Sequence, residues 1–191
     1  YGDSPRYTNG AYYLYNGYGF VTPVPDREGG EKLEPQLYAT PGVSILMLPF
    51  MPFKSGLVLY SALLTSFASL LIPYFTWWIG RKLFTERVGL IAAGIMAFEP
   101  MLVMVSWFAL SEIPFIIFTL GFLFLLIKSL EQEKAFLPLF AGALGGYAIL
   151  IRPQTLILFV IAYAVLLLYS FRNRKKLITY LLVGLSCLVI L

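Results

Sequence analysis

From residue 57 to the end, apolar stretches follow one another with only short charged breaks between them. Runs of about 20 apolar residues are the length that a helix needs to cross a bilayer core. This pattern constrains the chain more than any other, because only helices or closed barrels satisfy every backbone group in lipid. The chain is 59% hydrophobic and 13% charged, where a soluble domain carries about 25% charged residues. A soluble fold would need several all-round apolar helices in one small core. The fold class expected is therefore an all-α polytopic membrane protein of about six transmembrane helices, with an outer loop bearing short interfacial helices.

The domain division follows composition. Residues 1–55 form an extracytoplasmic loop with juxtamembrane helices, and residues 56–191 the transmembrane helical domain. The spans are expected at about 57–79, 88–107, 112–130, 136–151, 155–171 and 177–191, the last one truncated. Pro73 should kink the first, and Glu99-Pro100 should interrupt the second. The chain begins in what reads as a loop and stops within the apolar SCLVIL, so a piece of a longer protein is expected.

Charge gives the orientation. The segments 81–87, 128–134 and 172–176 hold three, two and four Lys/Arg and fall on alternate ends of the spans. Basic loops stay in the cytoplasm, which puts the first segment outside. The net charge of +4 thus reflects membrane topology rather than nucleic acid. There is no histidine, which removes the commonest metal ligand and general base. The single Cys187 has no partner for an internal disulfide and reads as a small core residue.

Within the first segment, Ser4-Pro5 can open an amphipathic helix over 4–15, and Asn16-Gly17 can stop it. Its tyrosines give it the character of a helix at the headgroup level; an ordinary surface helix is the alternative. Residues 19–40, rich in Pro, Gly and charge, read as loop. VSILMLPFMPF is too short to span and is broken by Pro49 and Pro52, so it reads as interfacial or re-entrant.

Glu99, Glu112 and Arg152 lie within or beside the spans. An ionisable group there is costly unless it faces protein or water, so each is a functional candidate. Glu112 and Arg152 could instead be plain helix-end residues, Glu112 complementing the dipole of its helix N-terminus. Glu99 could be a buried protonated acid, or the second span could end early. Together with Asp3, these charges all fall toward the outer side. An arginine fork suits a phosphate, and a carboxylate can act as general base toward a hydroxyl. No cofactor is implied outright, and no metal site is assigned, although carboxylates with water could hold a divalent cation.

The chain carries Asp3 and Tyr7 in GDSPRY, then GYGF at 17–20, then the Pro-Gly of TPGVSILMLPFMPF. GRKLFTERVGLIAA, AFEPML, the SE of FALSEIPF and the Arg-Pro of LIRPQ follow. Motifs in this order resemble the GT-C superfamily of membrane glycosyltransferases, in the branch of the protein O-mannosyltransferases and the lipid A aminoarabinose transferase. The resemblance covers nearly the whole chain. It implies a hexosyl- or pentosyltransferase of the plasma membrane that takes a sugar from a polyprenyl-phosphate donor. The acceptor would be a lipid, a glycan or a protein outside the cytoplasm. It further implies that Asp3 is the catalytic acidic residue, with Tyr7, Glu112 and Arg152 at the substrate site and Arg152 near the lipid phosphate. Relatives often carry a second acid after the first; here Ser4 stands there. For Glu99 the resemblance implies no distinct role, and its substrate-binding assignment rests on its intramembrane position. Membrane lipids are the remaining partners. A transporter or flippase using the same acidic residues is the competing reading, which calls for inverted repeats, and a non-catalytic scaffold subunit is a third.

Overall fold

The computed structural model describes residues 4–25, 30–37, 39–108, 110–132, 134, 136–170 and 174–190. It is helical apart from one hairpin. The first segment holds α1 (Ser4–Tyr15), β1 (Val21–Pro25), β2 (Glu31–Pro35) and α2 (Pro41–Met47), the last continued by a 3-10 stretch, Leu48–Gly56. The apolar part holds α3 (Leu57–Ser69), α4 (Leu71–Leu83), α5 (Glu86–Ala97) and α6 (Pro100–Ser106). It goes on through α7 (Glu112–Glu131), α8 (Phe136–Ile151), α9 (Leu156–Ser170) and α10 (Arg174–Ile190).

The end of α1 follows from its glycine. Gly17 has φ +81°, a left-handed conformation that glycine adopts without penalty. The Tyr18 N–H donates to the Tyr13 carbonyl at 3.0 Å and the Gly17 N–H to Leu14 at 3.2 Å. The Tyr13 and Tyr18 rings meet edge to face at 6.0 Å. This is the Schellman arrangement, in which otherwise unpaired helix-end carbonyls find donors.

Residues 19–40 are not all loop. β1 and β2 pair antiparallel, with Pro23 opposite Leu33 and Val21 opposite Pro35. A two-stranded ribbon has an open edge on each side, so prolines without an N–H are tolerated there. Val21, Thr22 and Val24 supply the β-branched residues that suit a strand.

The all-α membrane class is borne out, and the six expected spans are confirmed in part. Among the described residues, two helices are long and apolar enough to cross a membrane, Leu59–Leu83 and Glu112–Glu131. A third qualifies if α5 and α6, bent by 56°, count as one broken span. Helix α8, with 16 residues, is about 24 Å long at about 1.5 Å per residue, short of a hydrocarbon core of about 30 Å. Phe136–Ile151 and Leu177–Ile190 are thus apolar helices below spanning length.

Prolines set the breaks. The first span is interrupted at Leu70, between α3 and α4. Pro73 has no N–H for the Ser69 carbonyl four residues back, and its ring crowds that carbonyl. The bend at Glu99 has the same origin, since a residue before proline is pushed out of the helical region; Glu99 has ψ 111°. Arg81 and Lys82, expected in a loop, form the last turn of α4, where cations complement the helix dipole. They lie over Trp77 and Trp78 at 5.5 and 5.6 Å.

Glycines let the helices approach. A Cβ on Gly89 would stand 2.5 Å from the Trp77 carbonyl oxygen, and one on Gly80 2.8 Å from Gly89 Cα. A Cβ on Gly146 would stand 2.7 Å from the Cys187 carbonyl oxygen on α10. Small residues at such crossings are the usual means of close packing in lipid. The end of α6 is pinned by hydroxyls of α3: Thr65 and Ser66 donate to the Ser106 carbonyl at 3.0 and 2.9 Å.

Candidate functional site

The site is built where α7 begins and α8 ends. Pro153 stops α8, and Arg152 leaves it with φ −138° and ψ 89°. Its guanidinium swings across to the start of α7. Nη2 donates to Glu112 Oε1 at 2.6 Å and to Ser111 Oγ at 3.2 Å. The guanidinium also lies 5.5 Å from the centre of the Phe115 ring, a cation–π distance. The side chains of Arg152 and Glu112 are 30% and 36% exposed, so the pair is partly shielded and partly accessible. Glu112 Oε2 is buried and has no hydrogen-bond partner. The carboxylate therefore serves the arginine as well as the helix dipole.

The first segment docks on this end of α8. Thr40 Oγ1 donates to the Ile151 carbonyl at 2.6 Å, one of the carbonyls left without an intrahelical partner at a helix C-terminus. The Tyr147 hydroxyl donates to the Gly42 carbonyl at 2.9 Å. Gly42 lies so close that a Cβ would stand 2.8 Å from backbone atoms of Leu150 and Ile151. Helix α1 rests in turn on α2: Ser44 Oγ donates to the Tyr7 carbonyl at 3.0 Å. The buried Gln36 ties the end of the hairpin to α1 through the Arg6 carbonyl at 3.1 Å. Tyr7, Ala11, Val43, Met47, Met51 and Ile151 share one buried core.

The residues singled out in the sequence fall into three groups. Glu112 and Arg152, 40 positions apart, are in direct contact. Tyr7 is 7% exposed; its ring belongs to the core joining α1 and α2 to Ile151. Glu99 is exposed at the bend before α6 and, among the described residues, its side chain joins neither Glu112 nor Arg152. Asp3 lies outside the described residues. Among the described residues no three His, Cys, Asp or Glu side chains gather as metal ligands.

Sequence reasoning missed four partners: Ser111, Phe115, Thr40 and Tyr147. Ser111 and Thr40 stand inside the SE and TPG motifs, so a signal was present. For Phe115 and Tyr147 the only signal is helical spacing: Phe115 is three residues after Glu112, on the same face.

The opposite end of α7 is a separate cluster. Lys82 Nζ binds Glu131 Oε1 at 2.8 Å, and Lys128 Nζ lies 4.4 Å from the Phe124 ring centre. Two of the three basic segments therefore meet on one side, at the far end of a 20-residue helix about 30 Å long.

A sequence profile described as dolichyl-phosphate-mannose-protein mannosyltransferase matches residues 46–191, well over half of the chain. The chain belongs to that family. It is a membrane glycosyltransferase of the dolichyl-phosphate-mannose-protein mannosyltransferase family, and Glu99, Glu112 and Arg152 lie within the matched region. The family match starts after Asp3 and Tyr7. No curated protein and no solved structure matches the chain significantly.

Proposed function

We propose that the chain transfers a sugar from a polyprenyl-phosphate donor to an acceptor outside the cytoplasm, and that Arg152 holds the donor phosphate. The observation that carries this reading is the Arg152–Glu112 pair at 2.6 Å, partly exposed and set where the first segment docks. Guanidinium N–H groups suit phosphate oxygens, in one-point or forked geometry. Glu112 holds the guanidinium in place and stands beside the sugar. Tyr7 contributes by seating α1 on this end of the bundle, and Glu99 stands at the bend between α5 and α6.

In the reaction, the acceptor oxygen bonds to the anomeric carbon while the bond from that carbon to the phosphate oxygen breaks. Its electron pair leaves with the phosphate, and the acceptor hydroxyl proton passes to Asp3. The leaving phosphate is already anionic, so it needs a cation more than an acid. The site faces outward across the plasma membrane, away from the Lys82–Glu131 end. The family match favours this over transport.

The test uses the full-length protein in liposomes with labelled dolichyl-phosphate mannose and candidate acceptors. Asp3→Asn should abolish transfer while leaving insertion intact, a loss of about 10²–10⁴-fold for a general base. Wild-type turnover by that variant contradicts the role.

A further inference from the structure

Three contacts join the first segment to the last turn and a half of α8, and all three lie within five residues of Arg152. Thr40 Oγ1 holds the Ile151 carbonyl at 2.6 Å. The Tyr147 hydroxyl holds the Gly42 carbonyl at 2.9 Å. Gly42 has no room for a Cβ against the Leu150–Ile151 backbone. Tyr147 is itself fixed, since its ring stacks on Phe118 of α7 at 4.6 Å. The same α7 supplies Glu112 and Phe115 to Arg152, and Ser111 precedes it. The backbone that presents Arg152 and the segment that carries α1 and α2 are thus referred to one frame.

We propose that Thr40, Gly42 and Tyr147 are positioning residues, a clamp that fixes the first segment at a set distance from Arg152. This rests on the transferase reading, in which one reacting group comes from that segment and the donor phosphate sits at Arg152. Donor binding needs the Arg152–Glu112 pair and not the first segment, whereas turnover needs the segment in register with it. A displacement of about 1 Å between reacting groups can cost about a hundredfold in rate. Loosening the clamp therefore lowers kcat and leaves the KM for donor nearly unchanged. Thr40 needs only its hydroxyl for this, so serine replaces it. Gly42 admits no larger residue, because the obstacle is backbone and cannot rotate away.

The test uses the full-length protein as wild type, Thr40→Val, Tyr147→Phe, the two combined, Thr40→Ser and Gly42→Ala. Hydrogen exchange is followed at the amides of α1, α2 and α7, and steady-state kinetics are measured with dolichyl-phosphate mannose. The combined variant and Gly42→Ala should exchange about tenfold faster in α1 and α2 with α7 unchanged. Their kcat should fall about tenfold to a hundredfold, with donor KM within about threefold, and Thr40→Ser should match wild type. Unchanged exchange in α1 and α2 overturns the clamp, and so does faster exchange with unchanged kcat. A wild-type protein that transfers no sugar from this donor overturns the transferase reading; the exchange arm then still decides whether the clamp exists.

Discussion

The two ends of α7 carry the same kind of bond in different settings. At one end Lys82 binds Glu131 at 2.8 Å; at the other Arg152 binds Glu112 at 2.6 Å. The Lys82 pair is 39% and 42% exposed; Lys82 lies over Trp78, and its neighbours Arg81 and Lys128 over Trp77 and Phe124. That is the composition of a membrane–water boundary, aromatic rings with lysine and arginine beside them. The Arg152 pair has a third partner in Ser111, a ring face in Phe115, and a folded segment keyed into the adjoining turn of α8. An ion pair by itself says little. What marks a site is the amount of structure devoted to holding one charge in place.

Substitutions can break this contrast. Arg152→Ala should have the largest effect, lowering kcat/KM for dolichyl-phosphate mannose by about 10²–10³-fold, the scale for loss of one stabilising donor at a developing anion. Arg152→Lys should recover only part, because an ammonium lacks the planar fork. Glu112→Gln keeps an acceptor for Arg152 and removes the charge. It should raise donor KM by about tenfold, near the 1–2 kcal/mol difference between charged and neutral hydrogen bonds. Gly89→Val should leave the site untouched and destabilise the α4–α5 hairpin by about 1–3 kcal/mol, read as a lower melting temperature in detergent. Lys82→Ala should have the smallest effect, within about 1 kcal/mol for an exposed pair, with kcat/KM unchanged.

Local chemistry was legible in the sequence, and pairing across the fold was not. Pro73, Pro100 and Gly17 each act on the backbone within a few residues, so the break at Leu70, the bend at Glu99 and the end of α1 could be read directly. The hairpin was hidden because Pro23, Pro25 and Pro35 argue against strands unless both edges are open. Two or three of the six expected spans stand among the described residues; α8 keeps the bounds expected for the fourth, and its 16 residues are fewer than the roughly 20 of a full crossing. Glu112 and Arg152 stood out as costly charges. Their contact bridges 40 positions, and nothing local encodes it. Tyr147 follows the glycines of GALGG, a composition that suits helix packing, and only its hydroxyl sets it apart. The function of Asp3 rests on resemblance and on the proposal above.

The central claim is that Arg152, and not the equally paired Lys82, receives the donor phosphate. The direct measurement is binding of dolichyl phosphate without its sugar to the full-length wild type, Arg152→Ala and Lys82→Ala in liposomes of one composition. Affinity should fall about tenfold to a hundredfold in Arg152→Ala, about 1.4 kcal/mol per factor of ten, and hold in Lys82→Ala. Unchanged binding in Arg152→Ala, or an equal loss in both variants, would contradict the account.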